Sequence, residues 1–394
     1  MTNGMAAFAT QLTRVTLGMH ELYLKAFSGD SFLDREGLVP VIMTELTPIV
    51  FQNWDEADAA LVELERQAEA MPPGQRRDYL SEMIDSLRAL VATFRGDELS
   101  YREKVRRFLR VTPDAIPDAQ LQAWTHEIDR GLAGLGYDKG SLGERIRAWE
   151  SDNTVPPGEV LPTLKAMMDE ARQRTVEMMF PLPDDARMDA VAIHAVPFGA
   201  YSDYPHRQVL LNTDLPYTRF GLKRLACHEG FPGHCAHMAM RDQWTHSGQM
   251  PVDGALVVTN SASSPLFEGI ADFGIEFIDW LDGPADELAS TLGKVRGAAR
   301  INTALLIHAE GKSLDEASAY QARVSFMDPA QAASRLGFLT HKLRAPFVFA
   351  YWYGDRAVER VWRTVTRAQR PRFFKYLYEQ MHTPTTLYRY WTPS

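Results

Sequence analysis

Two histidines enclose a proline and a glycine in the sequence His228-Glu229-Gly230-Phe231-Pro232-Gly233-His234. In the usual zinc-binding helix the second histidine follows four residues after the first, but here that position is Pro232. On an undistorted helix six residues turn through about 600°, so the rings of His228 and His234 would point in different directions. We therefore predict that Pro232 and Gly233 bend or bulge the helix and return His234 towards His228.

These residue types are the ones that a catalytic zinc site uses. Two imidazoles and one carboxylate bind the ion and leave a fourth position open for water. The sequence offers His228 and His234, together with Glu268, which lies 34 residues after His234. Zinc lowers the pKa of water and polarises a carbonyl group, while an adjacent carboxylate that is not a ligand takes the proton. We predict that Glu229 is this catalytic base.

The downstream segment has the pattern of a helix that faces the interior. Glu268 and Asp272 are four residues apart and fall on one helical face. Asp272 can then accept a hydrogen bond from a ligand imidazole while Glu268 binds the metal. Ile270, Phe273 and Phe277 indicate that this helix packs inward rather than carrying a solvated acidic face.

The chain resembles a large, poorly characterised bacterial family of metallopeptidase-like proteins, defined by H-E-x-x-P-G-H followed by E-G-W-A. The resemblance covers about residues 181–354 and rests on Leu211-Asn212-Thr213-Asp214-Leu215-Pro216, His228 to His234, Glu268-Gly269, His308-Ala309-Glu310-Gly311 and Tyr351-Trp352-Tyr353-Gly354. It implies a mainly helical zincin-like fold in the style of thermolysin-type enzymes, with zinc bound by His228, His234 and Glu268. It also implies that Gln208–Asn212 is an edge strand along which an extended peptide can pair.

Three positions depart from the family pattern. Cys235 replaces the second histidine of P-G-H-H, Ile270 replaces the tryptophan of E-G-W-A, and Ala304 replaces an acidic residue four before His308. These differences bear on the substrate rather than on the metal. If the helix were straight after all, Cys235 or His237 would become a rival ligand.

Four further residues are candidates for stabilising the oxyanion that forms when water attacks a carbonyl: His308, Arg344, Tyr351 and Tyr353. We favour Tyr351 and His308 as catalytic groups, with Arg344 in a supporting position. The alternative is that the tyrosines pack within the aromatic run 347–353 and that His308 only binds a carbonyl at the end of its helix.

The wider pattern predicts a mainly α fold. Apolar residues recur every three or four positions up to about Met178, which is typical of stacked helices. The segment Pro181-Leu182-Pro183-Asp184-Asp185 interrupts this pattern. We place a boundary there, between a helical N-terminal lobe (1–183) and a metal-binding lobe (184–394) that share one catalytic unit.

A small β-sheet is predicted directly after this boundary. Its strands are Val191–Val196 and Gln208–Asn212, separated by the turn-like segment Ser202–Pro205. Later helices are predicted over about 266–281, 284–307, 314–327 and 329–365, with Ser313 and Glu316 forming a capping box.

Composition limits the partners. The 394 residues are 45% apolar, which is enough for a sizeable core. The net charge of −9 provides no basic field for nucleic acid or anionic lipid, so we predict neither partner and leave the oligomeric state open.

The N-terminal segment, the short apolar runs and the two cysteines predict a cytoplasmic location. Met1 to Gly18 has one basic residue, at Arg14, and no continuous apolar run, unlike a signal peptide. The longest apolar run, Pro346–Tyr353, is too short to span a bilayer. Cys227 and Cys235 are too few for a disulfide framework, and we predict reduced thiols.

Three functions are consistent with these residues. The first is a zinc peptidase or amidase, in which water activated by Glu229 attacks the amide of a peptide or of a small molecule. The second is a related metal enzyme that rearranges, cyclises or cleaves a non-peptide metabolite, which a small closed pocket would favour. The third is an iron oxygenase, because two histidines and one carboxylate also describe the facial triad of such enzymes.

Overall fold

Helices dominate the chain, and the predicted fold class, mainly α, is confirmed. The computed structural model describes residues 3–27, 29 and 31–392. The N-terminal half contains α1 (Asn3–Phe27), α2 (Phe32–Glu36), β1 (Val41–Ile42), α3 (Trp54–Glu69), α4 (Gln75–Arg95), α5 (Tyr101–Leu109), α6 (Asp118–Gly134), α7 (Leu142–Asp152) and α8 (Val160–Met178). The predicted stack of helices is therefore present.

The C-terminal half combines short strands with further helices. Its elements are β2 (Asp189–Ile193), β3 (Ala200–Asp203), β4 (Gln208–Asn212), α9 (Arg219–Leu225), α10 (His234–His246), β5 (Leu256–Val257), α11 (Ser264–Asp272), α12 (Gly274–Phe277), α13 (Pro284–His308), α14 (Leu314–Ser325), α15 (Pro329–Ser334), α16 (Leu336–Thr340), α17 (Val348–Trp362), α18 (Arg370–Glu379) and α19 (Pro384–Tyr390). The predicted capping box of Ser313 and Glu316 begins α14 and is confirmed.

The sheet corrects one prediction about the strands. Its order is β2-β4-β3, so Gln208–Asn212 is the central strand and not the edge. Val209 pairs with Ala190 of β2 in parallel and with Ser202 of β3 in antiparallel orientation. The segment that reads as a turn from its Ser-Asp-Tyr-Pro sequence begins inside β3, because tertiary pairing overrides local turn propensity. The strands at the two edges of the sheet are therefore β2 and β3.

The later helices are more broken than the periodicity predicted. The helix predicted over 266–281 divides into α11 and α12, and the one over 329–365 divides into α15, α16 and α17. Pro346 lies between α16 and α17, where its missing N–H favours a break. The side chain of His341 accepts hydrogen bonds from the backbone N–H groups of Leu343 and Arg344 in this connection.

One large hydrophobic core crosses the predicted lobe boundary. It joins Leu61 of α3 and Leu87 of α4 to Val295 of α13 and Val348 of α17, all of them buried. The two halves thus pack on one another, while the boundary at residues 181–185 stays a prediction. None of the helices within the described residues has both the length and the apolar character needed to cross a membrane.

Candidate metal centre

The helix that carries the first histidine is interrupted, as the spacing predicted. A π-helical turn, Ala226–Gly230, follows α9, and the next helix, α10, begins only at His234. The Phe231–Pro232 peptide bond between them is cis. The predicted distortion is confirmed, and the two histidine rings come together with centroids 4.6 Å apart.

Gly233 permits this tight reversal because the backbone has no space for a side chain there. A Cβ atom at this position would lie 2.1 Å from the carbonyl oxygen of His228 and 2.4 Å from that of Cys227. The N–H group of Gly233 donates to the Cys227 carbonyl oxygen at 3.0 Å. Glycine is thus needed at this position for the close approach of the backbone.

A second close approach of backbones brings the other half of the site into place. Helices α11 and α17 cross at Gly269 and Gly354, where a Cβ atom on Gly354 would lie 1.7 Å from the carbonyl oxygen of Pro265. Glu268 precedes the first glycine, and Tyr351 lies one turn before the second. The crossing therefore sets the distance between these two candidate site residues.

The metal ligands predicted from the sequence converge. Glu268 Oε2 lies 3.5 Å from His228 Nε2 and 3.5 Å from His234 Nε2. All three side chains are buried, and their ligand atoms lie within 4.8 Å of one another. Within the described part of the chain, no other group of three His, Cys, Asp or Glu side chains converges in this way.

This spacing fits a tetrahedral zinc ion. Zinc binds nitrogen and carboxylate oxygen at about 2.1 Å, so two tetrahedral ligand atoms lie about 3.4 Å apart. Direct ion pairs between Glu268 and the imidazoles are the alternative, but charge-assisted hydrogen bonds are shorter, about 2.8 Å. Glu268 Oε2 is buried and has no hydrogen-bond partner among the described residues. Since buried carboxylate oxygens are normally satisfied, a cation between the three atoms would account for its surroundings.

Asp272 orients the first histidine from the side away from the cluster. Its Oδ1 lies 2.9 Å from His228 Nδ1 and 2.9 Å from a guanidinium nitrogen of Arg224. A proton on Nδ1 leaves Nε2 of His228 free to bind a metal. Burial opposes ionisation of Asp272, but Arg224 and His228 outweigh it and hold the pKa of Asp272 well below its usual range.

His228 and Glu268, two of the predicted ligands, shift each other's pKa in opposite directions. Burial on its own lowers the pKa of His228, but Asp272 and Glu268 raise that pKa well above its usual value. Burial raises the pKa of Glu268, but His234 and His228 bring it below its usual value. The cluster therefore favours an ionised Glu268.

The predicted base lies beside the three ligands and is held by a residue that the sequence did not reveal. Glu229 Oε1 is 4.0 Å from His228 Nε2. Ser202 Oγ of β3 lies 2.7 Å from Glu229 Oε2 and 2.8 Å from the Glu229 carbonyl oxygen, so its hydroxyl donates to one of these acceptors. Nothing in the sequence links Ser202 to Glu229, because the contact depends on how β3 packs against the π-helical turn.

Tyr351 contacts the same cluster. Its ring stacks on His228 with centroids 6.3 Å apart, and the guanidinium of Arg300 covers its ring at 4.7 Å. Burial and the neighbouring Glu268 carboxylate raise the pKa of Tyr351 well above its usual value. Its phenol is thus a hydrogen-bond donor at neutral pH.

The other predicted helpers lie elsewhere. His308 Nε2 donates to the Leu339 carbonyl oxygen at 2.7 Å, and the ring stacks on Tyr101 at 4.6 Å. Tyr353 donates to the Asp114 carbonyl oxygen at 3.2 Å. The structure does not bring either side chain to the three predicted ligands, and neither takes part in the proposed chemistry.

The rival ligands also have other environments. His237 is buried behind His234, where its Nε2 accepts a hydrogen bond from Arg241 and its ring stacks on Phe267. Burial lowers the pKa of His237 well below its usual value. Cys235 is a free, buried thiol whose pKa is raised by burial to about 12, so it is a poor thiolate ligand.

A cavity of about 120 Å³ opens beside the cluster. Glu229, Ser202 and Tyr351 line it together with the three ligands. Arg344, a predicted supporting residue, lies in its wall, where Nη2 contacts Glu36 Oε2 of α2 at 2.6 Å. Burial raises the pKa of Glu36, while the guanidinium of Arg344 favours the ionised carboxylate. Glu36 was not predicted as part of the site, because nothing in the sequence distinguishes it from other acidic residues.

Comparison with known proteins supports the fold alone. No protein-family model and no curated protein matches the chain. A candidate lipoprotein from Colwellia psychrerythraea has a similar solved structure, with TM-score 0.56, 13% identity, and coverage of 85% of this chain and 68% of the other. A candidate lipoprotein of unknown function from Shewanella oneidensis gives TM-score 0.53, 14% identity, and coverage of 86% and 73%.

Proposed function

We propose that this protein is a zinc-dependent hydrolase that cleaves an amide bond. The observation that supports the proposal is the oxygen of Glu268 that has no hydrogen-bond partner and lies 3.5 Å from Nε2 of both His228 and His234. The carboxylate of Glu229 lies beside this group and is not one of the three predicted ligands. Membership of the H-E-x-x-P-G-H family, a zincin-like architecture and a cytoplasmic location belong to the same proposal.

Each group of side chains has a separate role in the proposed reaction. When bound to His228, His234 and Glu268, zinc supplies a Lewis acid that polarises the substrate carbonyl and acidifies water. Glu229 takes the proton from the attacking water and later delivers it to the leaving nitrogen. The phenol of Tyr351 donates a hydrogen bond to the oxygen on which negative charge develops.

Two neighbours position these groups. Asp272 fixes the ring of His228 through a hydrogen bond to Nδ1. Ser202 holds the carboxylate of Glu229 by its hydroxyl. The Ser202 contact is buried and the Asp272 contact is part-buried, and both exist without a substrate.

The size of the cavity favours a second candidate, a metal enzyme that acts on a small non-peptide molecule. Sites for drug-sized ligands usually measure about 300–1,000 Å³. The cavity beside the cluster is about 120 Å³. In this case Glu229 moves a proton in a rearrangement, a cyclisation or a cleavage of a small metabolite.

Replacement of Glu229 tests the proposal. We expect purified protein to hold one zinc ion, and we expect Glu229→Gln to keep it while losing hydrolysis of every active member of a panel of dipeptides and small amides. Glu310→Gln, at an exposed position, is the matched control and should retain full activity. Undiminished hydrolysis by Glu229→Gln, or stoichiometric iron with oxygen-dependent turnover, would overturn the hydrolase.

A further inference from the structure

The cavity beside the metal cluster has a largely apolar wall. Side chains from four separate parts of the chain form it, namely Leu33, Phe198, Val257, Phe338 and Phe347. One of these rings, Phe198, belongs to an aromatic cluster, since it lies 5.0 Å from Phe32 and 6.0 Å from Tyr201, centroid to centroid. A ligand that enters beside the cluster therefore meets hydrocarbon surface on most sides.

The charged side chains of this wall are already paired. Glu36 and Arg344 form an ion pair at 2.6 Å, and each side chain is 8% exposed. Arg344 also donates to Thr259 Oγ1 at 3.2 Å. Apart from the metal cluster and Glu229, no other Asp, Glu, Lys or Arg among the described residues lines the cavity.

This pairing discriminates against charged ligands. A ligand carboxylate could bind Arg344 only by sharing it with Glu36, which would leave one negative charge uncompensated in a buried setting. A ligand ammonium group would leave Arg344 uncompensated in the same way. Uncompensated buried charges are strongly unfavourable, whereas an apolar group fits this wall without such a cost.

We propose that the site takes a small, uncharged amide, with an apolar group in the cavity and no free carboxylate or amino group beside the scissile bond. This inference rests on the proposed zinc hydrolase and specifies its substrate class. The substrates are thus end-capped, cyclic or otherwise neutral amides. A peptide bound through its terminal charge is excluded.

Three hydroxamates with six-carbon acyl chains test the inference without turnover. Hexanohydroxamic acid ends in a methyl group, adipic monohydroxamic acid ends in a carboxylate, and 6-aminohexanohydroxamic acid ends in an ammonium group. We expect calorimetric titration of the zinc-loaded protein to give a dissociation constant about tenfold or more lower for the methyl compound than for either charged one. Equal or tighter binding of a charged compound would overturn the inference, as would failure of all three to bind zinc-loaded protein.

A variant gives the converse result. Glu36→Gln leaves Arg344 without its counter-charge, so the carboxylate compound should gain about tenfold or more in affinity relative to the methyl compound. Glu310→Gln should leave the order of affinities unchanged. An unaltered order in a folded Glu36→Gln protein contradicts the inference, and the wild-type series decides it if that variant does not fold. A protein that takes up no zinc defeats the proposed function itself, whereas a zinc-loaded protein that prefers a charged ligand defeats only the substrate class.

Discussion

Substitution of Gly354 by alanine should separate the two helices that carry Glu268 and Tyr351. The new Cβ would lie 1.7 Å from the Pro265 carbonyl oxygen and 2.7 Å from its carbonyl carbon, both backbone atoms. Non-bonded contacts of this kind need about 3 Å, so α11 and α17 must move apart by more than about 1 Å. A shift of that size also displaces Glu268 from the two histidines.

The expected loss of stability follows from two opposing effects. Alanine gains about 1 kcal/mol over glycine inside a helix. Overpacking against backbone costs more than the usual range of about 1–3 kcal/mol, and we expect a net loss of about 3 kcal/mol. With an unfolding entropy of about 2.1 cal/mol/K per residue, this lowers the melting temperature of the 394-residue chain by about 4 °C.

Gly297→Ala is the matched control. Gly297 also lies inside a helix, α13, but a Cβ atom there would meet Trp352 at 3.5 Å, which is ordinary contact. Calorimetry should show a melting temperature equal to or slightly above that of the wild type, and competition with a chelator should show unchanged zinc affinity. If Gly354→Ala melts within 1 °C of Gly297→Ala and binds zinc equally well, the reasoning about the helix crossing is refuted.

Three further outcomes are expected. Asp272→Asn should lower zinc affinity about 10–100-fold, because it removes the acceptor that orients His228, and chelator competition measures this. Ser202→Ala should lower kcat about tenfold with zinc content unchanged, because it frees the carboxylate of Glu229. Burial lowers the pKa of His382 from 6.5 to about 4, so the folded state binds fewer protons and loses stability as pH falls from 6.5 towards 4. Over that range the loss is about 3 kcal/mol, and His382→Gln should remove it in urea unfolding.

For each of these three predictions, a specific result would contradict the reasoning. Asp138→Asn, at an exposed position, should leave zinc affinity unchanged, and equal affinities for it and Asp272→Asn would count against the orienting role. Zinc loss in Ser202→Ala would mean that Ser202 supports the ligands rather than the base. An acid dependence of unfolding that is the same in His382→Gln and the wild type would show that another group is responsible.

Local chemistry accounts for the parts of the site that could be predicted. The proline at position 232 cannot bind a metal, so the spacing of His228 and His234 required a break in the helix, and a break is present. Asp272 follows Glu268 by one helical turn, and this places its carboxylate against His228. Both predictions used only the geometry of one helix.

Long-range packing accounts for the parts that could not be predicted. Ser202 contacts Glu229 only because β3 pairs with β4 and packs against the π-helical turn. The family resemblance implied that Gln208–Asn212 is an edge strand, whereas β3, whose local sequence has the pattern of a turn, pairs beside it and makes it the central strand. His308 has the chemistry of a catalytic residue, but its side chain donates a hydrogen bond to the carbonyl oxygen of Leu339 in α16. None of these contacts has a signature in the residues near it in sequence.

The cavity wall and the predicted metal ligands come from distant parts of the chain. Leu33 and Glu36 belong to α2, whereas the ligands begin about 190 residues later at His228. Under the proposed function, mutations in this short N-terminal helix would therefore alter ligand preference without altering the predicted metal ligands. Among diverging descendants of such a protein, a retained ligand motif would then say little about shared substrates, and the first forty residues would be the better place to look for differences in selectivity.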